Sequence, residues 1–194
     1  MITHLQGVLE EKTPASAVLD CGGIGYMLSI SLNTYSQLPD KGHCRLFTHL
    51  AIREDAHVLY GFFNQDEREL FRQLISVSGV GGNTALAVLS GLDPSGVKST
   101  IMSGDVDTLK SIKGVGPKTA QRIIVDLKDK VGKVEVGELG FATTQNKQKE
   151  EALTALVTLG FAKNAAEKAV NKVLKKHGTD LEVEEIVKKA LSSF

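Results

Sequence analysis

The chain has no tryptophan, and only 5% of its 194 residues are aromatic. Stacking of bases on aromatic side chains is a common way to bind single-stranded nucleic acids, so we do not expect stacking to be the main binding mode here. The formal net charge is zero, from 23 basic and 23 acidic residues. The composition therefore also lacks the basic excess that is typical of nucleic-acid-binding proteins.

The charges are unevenly distributed along the chain. Residues 1–63 contain four basic and six acidic residues, whereas residues 64–133 contain ten and eight. This distribution indicates an acidic first region joined to a mildly basic second one. A neutral protein with uneven patches is an equally good interpretation of the charge alone.

No run of about 18 apolar residues occurs, so we expect no membrane-spanning helix and no membrane partner. The sequence opens with strand-like residues and not with a charged segment followed by an apolar one, which favours a cytoplasmic location. The only two cysteines, Cys21 and Cys44, lie in strand-like segments. We expect them to be reduced and packed in a core.

The sequence shows no catalytic set, and we expect no cofactor and no metal. Its five histidines are scattered, and only His43 beside Cys44 forms a candidate ligand pair, for which a strand start is the simpler interpretation. No Gly-Lys-Ser/Thr phosphate loop occurs, so any ATP hydrolysis is expected to take place in a partner.

Residues 1–63 show the alternation that is typical of β-strands. Tyr26, Leu28 and Ile30 fall on one face of a strand, and the residues between them fall on the other. About five strands fit into this region, which is the size of a small OB-like β-barrel. The strand candidates are Ile2–Lys12, Ala17–Cys21, Tyr26–Ser31, Cys44–Ile52 and Ala56–Phe62.

From Asn64 onward the apolar residues repeat at helical spacing, and residues 64–133 are predicted to form a helical domain. Asn64 and Glu67 are spaced as a capping box. Asp93 followed by Pro94 marks another helix start, with Asp as the N-cap and Pro at the first helical position.

Residues 134–148 contain few large apolar residues and are predicted to be a flexible linker. Helical spacing resumes over residues 149–194, where Gly178 is expected to end one helix and Thr179 with Glu182 to cap the next. The sequence thus predicts an α+β multidomain protein with an N-terminal OB-like β-barrel, a helical middle domain and a C-terminal three-helix module.

The strongest signal in the sequence is an internal repeat. The segment Leu74–Ala85 recurs 35 residues later as Leu109–Ala120, and both copies carry Gly-Val-Gly between two helix-like stretches. This is the pattern of a helix-hairpin-helix DNA-binding motif, present twice. A lone Gly-x-Gly is often a simple turn, but two copies in register with matching apolar positions strongly disfavour that interpretation.

The residue types of the repeat suit contact with a DNA backbone. The first glycine permits turn angles that are closed to other residues, and the second leaves room for a phosphate. Val80 and Val115 are expected to point inward, and Lys118 adds a cation to the helix N-terminus that follows. Such contacts position DNA without reading its sequence. The expected backbone-binding residues are Gly79, Val80, Gly81, Gly82, Asn83, Thr84, Gly114, Val115, Gly116, Pro117, Lys118, Thr119 and Arg122.

Other functions use similar parts. A nucleotide-binding loop is disfavoured because the glycines follow a helix and not a strand. A subunit of a DNA repair nuclease or ligase would carry the same tandem hairpins and is the alternative function, although such enzymes need clustered metal-binding carboxylates or a nucleophilic lysine motif. A single-strand-binding OB protein would need more aromatic candidates than Tyr26, Phe47 and Tyr60.

Several further segments, together with the paired hairpins, resemble the RuvA family of Holliday junction branch-migration subunits. They are Met1-Ile2, Gly22–Tyr26, Arg53–Ala56, Leu59–Phe62 and Leu159–Phe161. The resemblance implies a bacterial cytoplasmic protein that binds four-way junction DNA as a homotetramer, or as a face-to-face octamer. It also implies a non-catalytic scaffold that loads the ATPase motor RuvB for recombination and repair, with the RuvC resolvase as a further partner.

The resemblance assigns roles to two more groups of residues. Glu54 and Asp55 match an acidic pin at the centre of the tetramer, where their charges would repel phosphates; a solvated turn is the alternative from the residues alone. The C-terminal module resembles a ubiquitin-associated (UBA-like) fold with an apolar docking surface, although a purely structural role in the core competes with this interpretation. The expected motor-binding region is Leu159, Gly160, Phe161, Val170 and Val173.

The first hairpin departs from the family pattern. It has Gly82-Asn83 where the family often has Pro-Lys, whereas the second hairpin keeps Pro117-Lys118. Asn83 carries no charge, so we expect a weaker electrostatic contribution from the first hairpin, with its backbone donors retained.

Overall fold

The computed structural model of the chain describes residues 1–139, 144–178 and 181–193. For residues 132–139, 144–147 and 177 it describes the backbone only. The chain divides into two compact units, Met1–Val134 and Glu135–Phe194. The first unit contains the β-strands and the paired hairpins, and the second contains the C-terminal helices.

The first unit begins with a closed five-stranded barrel, which confirms the predicted OB-like barrel. Neighbouring strands follow the order β1-β2-β3-β5-β4, and every pair is antiparallel except β3 with β5. The strands are β1 (His4–Thr13), β2 (Ser16–Asp20), β3 (Gly25–Ile30), β4 (Gly42–Ile52) and β5 (His57–Phe62).

The structure confirms the predicted alternation of buried and exposed residues along β3. Leu28 and Ile30 are buried in the barrel core, whereas Met27 beside them is 72% exposed. A short helix that the sequence did not reveal, α1 (Leu32–Gln37), follows β3. Ser31 caps it by accepting a hydrogen bond from the Thr34 amide at 3.0 Å.

Four helices and most of a fifth complete the first unit, and their core is continuous with one side of the barrel. Tyr60 and Phe62 of β5 are buried in the same apolar cluster as Phe71, Leu89 and Ile123 of the helices. The helices are α2 (Gln65–Ile75), α3 (Gly82–Gly91), α4 (Pro94–Ser103), α5 (Val106–Ser111) and α6 (Pro117–Leu139). The barrel and the hairpins are therefore held together by one core.

One predicted helix cap is confirmed and one is wrong. Asp93 accepts a hydrogen bond from the Gly96 amide at 2.8 Å and Pro94 opens α4, as expected. Asn64 is the N-cap residue of α2 but its side chain makes no capping bond. Glu67 is fully buried and is bonded by the hydroxyls of Ser31 and Thr34, because these residues of the α1 turn outcompete the cap.

The second unit is a three-helix module, as predicted. It consists of α7 (Thr144–Thr158), α8 (Lys163–His177) and α9 (Val183–Leu191), with Leu156, Val170 and Ile186 in its core. Gly178 ends α8 at a φ of 83°, in the left-handed region that favours glycine. Thr179, part of the second predicted capping box, lies outside the described residues. The box itself is wrong, because α9 begins only after Glu182, which is the N-cap residue and makes no side-chain capping bond.

The predicted linker over residues 134–148 overlaps the end of α6 and the start of α7, and residues 140–143 of it lie outside the described residues. Its flexibility stays a prediction. No helix among the described residues is long and apolar enough to cross a membrane.

Candidate nucleic-acid interface

The two Gly-Val-Gly segments fold into equivalent hairpins, one between α2 and α3 and the other between α5 and α6. In the first, the Val80 amide donates to the Val77 carbonyl at 3.0 Å, and in the second the Val115 amide donates to the Ile112 carbonyl at 3.0 Å. Both hydrogen bonds sit at positions 35 residues apart, as in the sequence repeat. The repeat is therefore a repeat of backbone geometry.

The first glycine of each hairpin occupies a conformation that side chains rarely adopt. Gly79 and Gly114 both have a φ of 90°. Val80 and Val115, which follow them, are 6% and 5% exposed and pack into the helical core. The predicted inward orientation of both valines is confirmed, and it pins each hairpin to the helices that flank it.

The second glycine of each hairpin faces open space. A Cβ atom added to Gly81 or Gly116 would meet no described atom within 4 Å. Both residues are exposed, and each precedes the first residue of a helix. A ligand can thus approach the backbone at these two positions without displacing a side chain.

The helices that follow present amides at the same place. Gly81 is the N-cap of α3 and has no side chain to accept a hydrogen bond from the first turn, so the amides of that turn remain available to an anion. In the second hairpin Pro117 and Lys118 are exposed at the start of α6, with Thr119 half-buried behind them. The Lys118 ammonium group has no carboxylate within 4.0 Å among the described residues.

The two hairpins lie side by side. Arg122 belongs to α6, which follows the second hairpin, yet its guanidinium group lies 3.5 Å from both the carbonyl oxygen and the hydroxyl of Ser78 in the first hairpin. A cation from the helix of the second hairpin therefore lies against the first hairpin.

The first hairpin contains a close contact at the position where it departs from the family pattern. Gly82 is buried, and a Cβ added there would lie 2.2 Å from Tyr60 Oη and 2.4 Å from Tyr60 Cζ. Any side chain at position 82, including proline, therefore requires the Tyr60 ring to shift. Asn83 beside it is exposed, and Thr84 is half-buried.

Aromatic packing fixes the Tyr60 ring. Its centroid lies 4.8 Å from that of Phe71 and 6.4 Å from that of His49. Desolvation lowers the pKa of His49 below its usual value, and the positive charges of Arg72 and Arg68 add to this effect. The contact of Tyr60 with the first hairpin could not be predicted from the sequence, because Tyr60 lies in a strand some 20 residues before that hairpin.

The acidic pair lies at the tip of the hairpin between β4 and β5. The turn is closed by a 2.8 Å hydrogen bond from the Arg53 amide to the Ala56 carbonyl, and Glu54 and Asp55 are both exposed. Neither carboxylate has a cation within 4.0 Å among the described residues. Their negative charges therefore face solvent, and no described cation pairs with them.

The cysteines fit the sequence prediction of reduced thiols. Cys21 and Cys44 are free and pack at the edge of the barrel core. Burial, with a smaller contribution from Cys21, raises the pKa of the Cys44 thiol. No group of three or more potential metal ligands occurs in the parts of the chain described by the structure, including the neighbourhood of His43.

In the C-terminal module, the residues predicted to bind a motor differ in their exposure. Leu159 is 61% exposed, Gly160 has a φ of 99°, and Phe161 is half-buried against the core. Val170 and Val173 are only 0% and 6% exposed. The expectation that these two valines contact a partner needs correction, because the helix packing buries Val170 completely and leaves only a small part of Val173 exposed.

A closed OB-like barrel that packs through β5 against two adjacent, equivalent hairpins places the chain in the class of tandem helix-hairpin-helix proteins. Comparison with family models agrees with this architecture. The models described as "RuvA N terminal domain", "SAM-like Helix-hairpin-helix tandem" and "RuvA, C-terminal domain" match residues 1–61, 71–129 and 147–193.

Curated relatives match over the whole chain. The chain is 49% identical to a protein of Flavobacterium psychrophilum and 51% identical to one of Christiangramia forsetii, covering 100% of both sequences in each case. It is 44% identical to a protein of Cytophaga hutchinsonii, over 98% of each chain. All three are named Holliday junction branch migration complex subunit RuvA, and the present chain belongs to the RuvA family.

Proposed function

We propose that this chain binds four-way junction DNA through the sugar-phosphate backbone and acts as the junction-recognition subunit of a branch migration complex. The observation that carries the proposal is the pair of exposed glycine elbows, each followed by a helix N-terminus and bridged by Arg122. Two such elbows side by side can hold both backbones of one duplex. The names of the relatives support the assignment of the DNA as a Holliday junction.

The acidic turn suits a place at the centre of a symmetric assembly. In a homotetramer, four copies of Glu54 and Asp55 would bring eight carboxylates to the point where four DNA strands cross. Like charges repel phosphates, so the centre would stay open while the hairpins hold the duplex arms outside it. Tetramer and face-to-face octamer both place the turn in this way.

The chain supplies recognition, and a separate motor supplies the energy. We assign ATP hydrolysis to the partner ATPase RuvB and give the chain itself no catalytic role. In the C-terminal module, the apolar side chains of Leu159 and Val157 are 61% and 43% exposed near the turn between α7 and α8. An exposed apolar surface of this kind suits a protein partner, and we place the motor there.

The test is a binding assay with four-way, duplex and single-stranded DNA of equal length, without metal ions or ATP. A strong preference for the four-way junction, with no cleavage, is the expected result. Mass measurement of the complex in the same buffer then gives the number of chains per junction. Equal affinity for duplex and four-way DNA would contradict the proposal.

Gly116→Ala tests the elbows themselves. The methyl group meets no described protein atom within 4 Å, so stability should hardly change, whereas the phosphate would lose its close approach. We expect junction affinity to fall several-fold. Gly25→Ala is the matched control, because it adds the same methyl group to the barrel with 3.7 Å to its nearest neighbour and should leave affinity unchanged.

A further inference from the structure

The hydroxyl of Tyr60 lies at the first hairpin, beside Gly82. It has no hydrogen-bond partner among the described residues. Tyr60 is only 2% exposed, so its ring is almost wholly enclosed by protein. Its oxygen is nevertheless not sealed from solvent, unlike Asn33 Nδ2 and Arg68 Nε, which are buried and lack a partner in the described part of the chain. The small exposed part of the residue therefore includes the hydroxyl.

The hydroxyl points at the N-terminus of α3. It occupies the space that a side chain at position 82 would fill, 2.2 Å from the place of the missing Cβ. Gly82 is the first residue of α3, a helix of ten residues whose N-cap, Gly81, offers no side-chain acceptor. A buried donor and the free amides of the first turn thus converge on one position, where the helix dipole favours an anion.

The two hairpins consequently differ in the donor that accompanies their amides. The second hairpin carries the exposed ammonium group of Lys118. The first carries the uncharged Asn83 at the equivalent position, and in addition the Tyr60 hydroxyl reaches it from strand β5 of the barrel. A hydroxyl donates one hydrogen bond to a phosphate oxygen without adding charge.

We propose that Tyr60 is a DNA-binding residue whose hydroxyl donates a hydrogen bond to the phosphate held at the first hairpin. This inference rests on the proposed function, since it takes the ligand of the hairpin to be a DNA phosphate. It makes the barrel a direct part of the DNA contact. It also gives a reason for glycine at position 82, because a side chain there would occupy the space through which the hydroxyl reaches the ligand.

Tyr60→Phe tests the proposal, because it removes one oxygen and keeps the buried ring. Loss of a hydrogen bond to a charged group should weaken binding of the four-way junction about ten-fold. Stability should stay the same or rise, since the hydroxyl has no protein partner to lose. Tyr26→Phe in β3 and Tyr35→Phe in α1 remove the same atom elsewhere in the first unit and should leave the affinity unchanged.

The salt dependence of binding separates a neutral donor from a cation. Tyr60→Phe should lower the affinity at every salt concentration without changing the slope of log K against log [salt], because no counterion is released at a hydroxyl. Lys118→Ala should lower the slope by about 0.9. Junction titrations by fluorescence anisotropy at several salt concentrations give both quantities for each variant.

Two results would overturn the proposal. One is an affinity of Tyr60→Phe equal to that of the wild type. The other is a loss of affinity that merely follows a loss of stability in urea unfolding, which would make Tyr60 a packing residue. If Gly116→Ala still weakens binding in either case, the proposed function stands and only the role of Tyr60 fails; a wild-type protein without four-way preference would refute the proposed function itself.

Discussion

Thr34→Val probes the contact between the barrel and the helices. Thr34 is fully buried, and its hydroxyl takes part in two hydrogen bonds that join separate parts of the first unit. It donates to Glu67 Oε2 at 2.7 Å and accepts from the Phe63 amide at 3.0 Å. Valine has nearly the same shape, so the substitution removes both bonds without opening a cavity.

The expected loss of stability follows from these two bonds. A hydrogen bond to a charged group contributes about 1.5–3 kcal/mol, and the partly buried Phe63 amide, left without an acceptor, adds a cost of about 1 kcal/mol. The two effects share one oxygen atom and are not fully additive. The Glu67 carboxylate also keeps its bond to the Ser31 hydroxyl. We therefore expect the free energy of unfolding to fall by about 3 kcal/mol.

Tyrosine fluorescence during urea unfolding is the appropriate assay. The chain has three tyrosines and no tryptophan, and all three tyrosines lie in the first unit, so the signal reports that unit alone. With a typical slope of about 1–3 kcal/mol per molar urea, the midpoint should fall by about 1–3 M.

Thr3→Val is the matched control, because it makes the same chemical change at an exposed position of the same unit. The Thr3 hydroxyl lies 3.1 Å from Nδ1 of the neighbouring His4, in a contact that is open to solvent. Its loss should therefore cost little. A Thr34→Val midpoint no lower than that of Thr3→Val would refute the reasoning.

Three further predictions concern charge. Asn83→Lys should steepen the salt dependence of junction binding by about one unit; an unchanged slope in anisotropy titrations would mean that no phosphate lies at the first hairpin. Neutralising the acidic turn with Glu54→Gln and Asp55→Asn should tighten junction binding several-fold, because phosphate repulsion is removed, and equal affinity would contradict a central position of the turn. The lowered pKa of His49 means that the unfolded chain takes up the proton more readily, so stability should be complete above the ordinary value of 6.5 and fall as the pH drops through it. His49→Gln should reduce this fall in urea unfolding measured across that range, and an identical pH dependence would show that other groups cause it.

Most of the architecture could be predicted because it follows from local periodicity. The alternation around Leu28 gives a strand whose buried and exposed faces match the sequence. The repeat of Leu74–Ala85 gives both hairpins, since a glycine at a φ of 90° and a buried valine recur at the same spacing. Signals of this kind depend on residues that are close in sequence.

The features that were missed depend on contacts between distant residues. Glu67 looked like part of a capping box, yet its partners Ser31 and Thr34 lie 36 and 33 residues earlier in the sequence. The helix α1 that carries Thr34 has only six residues, too few to show a clear helical period. Tyr60 likewise meets Gly82 only in the folded chain.

The C-terminal module shows the limit of apolar periodicity in another way. A repeating apolar position says that a side chain prefers to be buried, but it does not say whether the rest of the domain or a partner buries it. Val170 and Val173 are buried by their own module, whereas Leu159 stays exposed. Only the packed structure separates these cases.

The core shared by barrel and helices limits how the gene can be truncated. Cutting the chain after Phe63 would uncover Tyr60 and Phe62, which normally pack against Phe71 at ring distances of 4.8 and 4.9 Å. A fragment with two such aromatic rings on its surface would tend to aggregate. The shortest soluble fragment should therefore extend to about Val134, where the first compact unit ends.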